Sequence, residues 1–308
     1  MEPQIDRALV ERLVADQHPS FSAPVSLLSH GWDNDIYRLG ERYTVRLPRR
    51  IEAVPLIDNE QRWLPIIAEQ LSLPVPAPVA AGVPGSGYPW AWSICPWFDG
   101  VAAHVVGQAE RVAVAEELAN AVLELHRPAP PNAPRNPVRG VPLAARDVAV
   151  RGRLSSFEPA LTAVWENAID AEPWNGPPLW LHGDLHPANV LVDFPGTDPA
   201  GTDVSVTDVS STDVGGRMPR LTAIIDFGDL TAGDPATDIA AAWLFFDAAG
   251  RDLVRETLAR GGALDDATWR RARGWAVTLA TASVTGSPAD SPMVPIGHAA
   301  IAELLASP

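Results

Sequence analysis

Two hydrophobic rhythms run along the chain, and each predicts its own elements. Ile5, Leu9, Leu13 and Val14 recur at helical spacing, which predicts an amphipathic helix over Gln4–Asp16. From Val25 to Leu47 the pattern changes to short β-prone runs. Val25–Leu28, Asp35–Leu39 and Tyr43–Leu47 read as three strands joined by turns at Ser29–Asn34 and Gly40-Glu41, and Pro48 ends the pairing. Helical spacing returns over Leu56–Leu71, where Pro65 predicts a kink or a second start. Leu73–Pro78 is an extended, proline-stiffened connector, and Gly82–Gly87 is a turn loop. A strand over Trp90–Ile94 follows, then a helix over Gln108–His126 with Val112, Ala115, Leu118, Ala119, Val122 and Leu125 facing inward. Six prolines make Arg127–Pro142 irregular, and Arg146–Ala171 is again mostly helical. Leu244–Arg260, Ala267–Ser283 and Ile296–Ala306 predict three closing helices.

Polar loops break this pattern at two places where apolar strands flank them. Leu179 and Leu181 enter the stretch WLHGDLHPANVLVD, Trp180–Asp193, and Val190-Leu191-Val192 leaves it. Gly183 and Pro187 punctuate the middle, so it reads as strand, tight loop, strand. Loops mounted between strands are common places for catalytic groups. Asp184 offers a carboxylate that can accept a proton from a hydroxyl. Asn189 offers a neutral oxygen suited to Mg²⁺. The second stretch, Ile224-Ile225-Asp226-Phe227-Gly228-Asp229, again delivers a carboxylate from an apolar strand and follows it with glycine. The run His182-x-Asp184-x-His186 also admits a metal-site reading, because alternate residues of an extended chain share a side. A zinc hydrolase needs further histidines, and the rest of the seven (His18, His30, His104, His126 and His298) are scattered.

Composition narrows the classes. With 308 residues, 46% of them hydrophobic, the chain has material for a large core or two modest lobes. Its apolar runs fall short of the roughly 20 residues that span a bilayer. Met1–Asp6 shows neither the basic nor the apolar region of a signal peptide. The single cysteine, Cys95, leaves no intrachain disulfide, and the expectation is a cytoplasmic protein with no membrane partner. A net charge of −15 argues against nucleic acid and fits either a cationic ligand or plain solubility. Lysine is absent, which excludes the Walker A loop and Schiff-base chemistry. The eleven tryptophans read first as core. Thr202-Asp203-Val204, Thr207-Asp208-Val209 and Thr212-Asp213-Val214 repeat at period five in a polar, acidic stretch.

HGDLHPAN followed by IDFGD resembles the catalytic and metal loops of the protein-kinase-like superfamily, and its aminoglycoside phosphotransferase branch in particular. The resemblance implies a bilobal α+β fold of protein-kinase type. A β-rich N-lobe would occupy residues 1–98 and a mostly helical C-lobe 99–308; the polar, acidic stretch 195–220 reads by its composition as a mobile insertion, longer than the family's short hairpin. It implies Asp184 as catalytic base, Asn189 and Asp226 as Mg²⁺ ligands, and ATP or GTP as donor. His182 and Asp238 would be structural supports of the catalytic loop. The turn at Gly31 and Asn34 stands where the family covers the nucleotide phosphates, although G-x-G-x-x-G is absent; glycine lets backbone N–H groups come close to phosphate oxygens. Arg46 stands where the family has a strand lysine. It shares a strand face with Thr44, and a guanidinium can clamp phosphate. Arg49 and Arg50 are rivals for that role. Glu60 would pair with the strand cation. Pro96 and Phe98 lie in the hinge that reads the base, Pro96 through its carbonyl and Phe98, or a neighbour, through its N–H. The implied reaction is γ-phosphoryl transfer to a hydroxyl of a small molecule, a cationic, aminoglycoside-like antibiotic. Macrolide or small metabolic alcohol kinases are alternatives, as is a nucleotide-binding pseudo-kinase without turnover. Oligomeric state is not legible.

Overall fold

The computed structural model describes residues 3–193, 218–262 and 264–306, so the Thr-Asp-Val repeat lies outside the described residues. The chain divides into two compact units: residues 1–98 with 225–230, and residues 99–224 with 231–308.

The first unit is a sheet with a helix on each face. Helix α1 (Arg7–Gln17) starts where Asp6 accepts a hydrogen bond from the Leu9 N–H at 2.8 Å. Strands β1 (Val25–His30), β2 (Asn34–Leu39) and β3 (Tyr43–Pro48) form an antiparallel meander. The strands run further than their apolar cores suggest: β1 reaches His30 and β2 begins at Asn34, so the turn is only Gly31–Asp33. Pro48 still pairs, opposite Asn34. Helix α2 (Val54–Ala68) follows, then β4 (Ala80–Gly82) and β5 (Trp92–Pro96), giving the order β1-β2-β3-β5-β4. Leu9, Val10, Leu13 and Val14 of α1 pack with Val45 and Leu47 of β3, Trp92, Ile94 and Tyr88. The opposite face of β3, Thr44 and Arg46, is buried as well. Ile57, Glu60, Trp63, Leu64 and Ile67 form the buried stripe of α2, so its one ionisable member, Glu60, occupies a core position. Pro65 does not divide α2. It lies in the last turn, where its missing N–H removes a single helical bond.

The second unit is mostly helical. Its strands are β6 (Val101–Ala102), β7 (Leu179–Leu181), β8 (Val190–Asp193), β9 (Arg220–Ile224) and β10 (Thr231–Gly233). They pair as β6-β8-β9 and β10-β7. Helices α3 (Gln108–Arg111) and α4 (Ala115–Leu125) replace the continuous helix expected over Gln108–His126; a turn of 3₁₀ helix, Val112–Val114, separates them. Helices α5 (Asp147–Leu154) and α6 (Pro159–Ile169) likewise split one expected run, because Pro159 starts a new helix. Then come α7 (Ala236–Ile239), α8 (Ala241–Phe245), α9 (Ala248–Arg260), α10 (Asp266–Gly286) and α11 (Met293–Ala306). Asp247 caps α9 by accepting from the Gly250 N–H at 3.0 Å, which breaks the helix expected over Leu244–Arg260. Helix α10 carries Ala272, Trp275, Ala276, Val277 and Ala280 fully buried and is the spine of this unit. At its start Arg271 and Asp234 form a buried ion pair at 2.8 Å. Among the described residues no helix is long and apolar enough to cross a membrane.

Candidate active site

In the second unit the chain leaves β7, turns sharply and re-enters through a 3₁₀ turn, Pro187–Asn189, into β8. The turn is possible because Gly183 sits at φ +85°, a left-handed conformation glycine adopts without steric cost. Asp238, fully buried at the end of α7, holds it. Its Oδ2 accepts from the His182 N–H at 2.8 Å and its Oδ1 from the Gly183 N–H at 2.9 Å, while His126 Nε2 lies 3.2 Å away. The buried His182 ring faces back into the loop, where its Nδ1 accepts from the Asp184 N–H at 3.2 Å.

Asp184 emerges from this frame partly exposed. Arg139 Nη2 donates to its Oδ1 at 3.0 Å, and His186 Nε2 lies 3.2 Å from its Oδ2. His186 Nδ1 accepts from the Ala188 N–H, which leaves its ring proton on the Nε2 that faces Asp184. Burial raises the Asp184 carboxyl, but His186, Arg139 and His182 outweigh burial and hold it well below the usual carboxylate range. The loop thus presents an ionised carboxylate, free to take a proton only from a group that becomes a stronger acid on reaction. Asn189 donates from Nδ2 to the Asp184 carbonyl at 3.0 Å, which keeps its Oδ1 without a hydrogen-bond partner among the described residues.

Three of the other candidates meet in the first unit. Arg46 Nη1 donates to Glu60 Oε2 at 2.9 Å, and its Nη2 lies 3.5 Å from Asp226 Oδ1. Burial lowers Arg46, yet Glu60, Asp226 and Cys95 more than restore it and leave the guanidinium charged above its ordinary value. Burial pushes Glu60 up further than the Arg46 charge pulls it down, and Asp226 adds to the rise. Asp226 itself takes a left-handed backbone, φ +63°, unusual outside glycine, and leaves its side chain 59% exposed. The rivals of Arg46 are engaged elsewhere: Arg49 bonds the Gly31 carbonyl at 2.8 Å, and Arg50 bonds Asp33 at 2.9 Å.

Gly31 and Asn34 are joined by backbone, the Gly31 N–H donating to the Asn34 carbonyl at 2.9 Å. A Cβ on Gly31 would stand 2.9 Å from that same oxygen, so the turn needs glycine for closeness rather than for φ. Asn34 is nearly buried and its Oδ1 has no partner among the described residues. Beyond β5, the Trp97 N–H goes to the Arg42 carbonyl at 2.8 Å. The Phe98 N–H, next along, is free among the described residues, and Pro96 closes the ladder opposite Tyr43.

The His182–Asp184–His186 run does not make a zinc site: His182 turns inward to its own loop, and the described residues hold no group of three or more His, Cys, Asp and Glu placed around a metal. For Mg²⁺ the donors have suitable chemistry. Asn189 supplies an unengaged neutral oxygen and Asp226 an exposed carboxylate, both hard ligands.

The family model described as the phosphotransferase enzyme family, APH, matches residues 24–201 and 214–275. The chain belongs to this family. No curated protein is a significant match. Among solved structures, the GDP complex of aminoglycoside 2'-phosphotransferase-IIIa superposes with a TM-score of 0.64 at 18% identity, over 98% of this chain and 99% of that one. Macrolide 2'-phosphotransferase MphH from Brachybacterium faecium, as apoenzyme, gives 0.59 at 20% identity, over 97% and 98%. The streptomycin–ATP complex of APH(2")-IIa gives 0.54 at 19% identity, over 99% and 98%. At such identities the likeness establishes the fold, a kinase-like α+β fold, and the family makes the protein a phosphotransferase.

Sequence reading had missed Arg139, which lies in a proline-rich stretch with no periodicity and reaches Asp184 across 45 positions. One signal was available. Arg139, Arg146 and Arg153 recur every seven residues.

Proposed function

We propose that this phosphotransferase moves the γ-phosphoryl group of ATP or GTP to a hydroxyl of a small molecule, with Asp184 as the base. Asp184 carries the reading. It is an ionised carboxylate on a loop whose backbone Asp238 pins at two consecutive N–H groups, beside an asparagine with a free oxygen. Its low basicity suits a transition state in which the attacking hydroxyl becomes acidic late, so positioning and charge supply most of the catalysis. Arg46, kept charged by Glu60 and Asp226, would hold donor phosphate, and the free N–H of Phe98 would meet the base. Asn189 and Asp226 would hold Mg²⁺, which neutralises phosphate charge when bound. The kinase-like fold shared with nucleotide complexes supports a nucleotide donor.

The solved neighbours act on aminoglycosides and macrolides, which supports a polyhydroxylated antibiotic-type acceptor. A cationic, aminoglycoside-like acceptor would suit the net charge of −15, but the side chains around Asp184 are of the opposite sign. The test is Asp184→Asn. Phosphoryl transfer falls by roughly 10²–10⁴-fold, the usual worth of a positioned base, while nucleotide affinity measured by calorimetry holds. Turnover near that of the parent would remove Asp184 from the chemistry. Loss of nucleotide binding in the parent itself would remove the kinase reading.

A further inference from the structure

The local charge at Asp184 is not that of the whole chain. Arg139 donates to Asp184, and seven residues on, Arg146 ends the 3₁₀ turn Leu143–Arg146. Arg146 is partly buried and makes neither a hydrogen bond nor an ion pair among the described residues. Its Nε, like that of Arg139, is out of water without an acceptor. Arg153, two turns further, donates only to neutral groups of α10: Nε to Thr281 Oγ1 at 3.0 Å and Nη2 to the Thr278 carbonyl at 3.2 Å. Its Nη1 stays free. The neighbouring acid, Asp147, is already taken by Arg151 Nε and Trp165 Nε1, each at 2.8 Å.

Burial lowers Arg146, and the Arg139 charge lowers it further; burial, Arg146 and Arg139 lower Arg153 in the same way. The three guanidiniums therefore feel one another, and among the described residues Asp184 is the one carboxylate bonded to the set. Uncompensated, partly buried like charges are costly, and an arginine is the side chain best shaped to bind an oxyanion.

We propose that Arg139, Arg146 and Arg153 form a cationic subsite beside Asp184 that binds an oxyanion, a carboxylate or phosphate carried by the acceptor. This rests on the kinase reading, in which Asp184 meets the acceptor hydroxyl. The transfer itself is unchanged: the acceptor oxygen bonds to the γ-phosphorus, the bridge to the β-phosphate breaks, and the hydroxyl proton passes to Asp184. The acceptor is then a hydroxy acid or a phosphorylated alcohol rather than a polyamine.

Inorganic sulfate is the first probe, titrated by calorimetry into the full chain at low ionic strength, with and without ADP and Mg²⁺. One sulfate per chain is expected, weakened about tenfold by Arg146→Gln, the worth of one charge-assisted hydrogen bond, and partly restored by Arg146→Lys. Among the described residues Arg146 bonds nothing, so a structural role would not move this readout. Absence of a site, or equal affinity in Arg146→Gln, overturns the proposal; an adventitious ion only would bind that variant equally well. Transfer from ATP and GTP to glycerate, glycerol and kanamycin is the second measurement. Glycerate should give the highest kcat/KM, with Arg146→Gln raising its KM more than it lowers kcat. Preference for kanamycin overturns the proposal. So does a rise confined to the nucleotide KM, which would put the arginines on donor phosphate. Failure of both nucleotides to bind would strike the kinase reading alone and leave the sulfate result standing.

Discussion

Arg46 is 5% exposed, on a strand whose two faces are both covered. Glu60 answers it with one oxygen, while among the described residues Glu60 Oε1 and Arg46 Nε stay unpaired. So incomplete a buried pair is weak as a source of stability, because desolvation offsets the attraction. The single loss and the joint loss should therefore differ. Arg46→Met strands the Glu60 carboxylate and should cost about 3–5 kcal/mol in urea unfolding. Arg46→Met with Glu60→Leu should recover most of that and still fail to bind nucleotide. Equal destabilisation by both variants would show the pair to be a stability device instead. Asp184 sets a second expectation. Its folded carboxyl lies below its ordinary value of 3.8, so its stabilising contribution is complete above that pH and is lost only as pH falls below it. The stability gap between the parent and Asp184→Asn should be flat from pH 8 to 5 and close only in stronger acid. Arg139→Gln removes one cause of the depression and should move that closure to higher pH. A gap that closes already near pH 6 would show that the Asp184 carboxyl is not depressed.

Among the elements, α7 has an importance out of proportion to its length. It runs only from Ala236 to Ile239, yet it delivers Asp238 to two N–H groups of the loop after β7. Asp238→Ala leaves both donors buried and unpaired, at roughly 1–3 kcal/mol each, and should lower kcat as the turn at Gly183 loosens. Full activity with lost stability would separate support of the fold from support of the loop. Asp238 was legible as a support of that loop only through the family resemblance; no local pattern pairs it with N–H groups more than 50 positions back. The same division recurs through the fold. β1, β2 and β3 could be read from their alternation, and the strands around His182–Asn189 from their apolar flanks. β4 could not: Ala80-Ala81-Gly82 carries no apolar run, and the strand exists because Gly82 leaves room for the Trp92 ring, which a Cβ would meet at 1.9 Å. The breaks at Val112–Val114 and Asp247 lie inside continuous helical periodicity, where tertiary packing decides. Glu60 fits an apolar stripe by spacing, but only its burial beside Arg46 separates it from an ordinary surface glutamate.

For the whole molecule, each unit has its own core, and the family model spans both with one gap, residues 202–213. That gap falls within the Thr-Asp-Val repeat, between β8 and β9, whose ladder already closes at Asp193 opposite Arg220. Replacing residues 197–216 with a short glycine-containing turn should leave folding and transfer rates within about twofold; loss of soluble protein would show that the segment takes part in the fold. Charge is also unevenly shared. The net −15 is a property of the chain, whereas the setting of Asp184 is cationic, so a partner inferred from net charge and one inferred from the site differ in sign. The guanidinium on β3 has a last consequence, for detection. Acyl-phosphate nucleotide reagents tag kinases by acylating an amine at the donor phosphates, and this chain offers no side-chain amine anywhere; the proposed phosphate clamp, Arg46, is a poorly nucleophilic guanidinium. Burial pushes its single thiol, Cys95, up to about 12, which silences alkylating probes too. A survey of cell extracts by covalent active-site labelling would pass over this enzyme in its native state, however abundant and active it was.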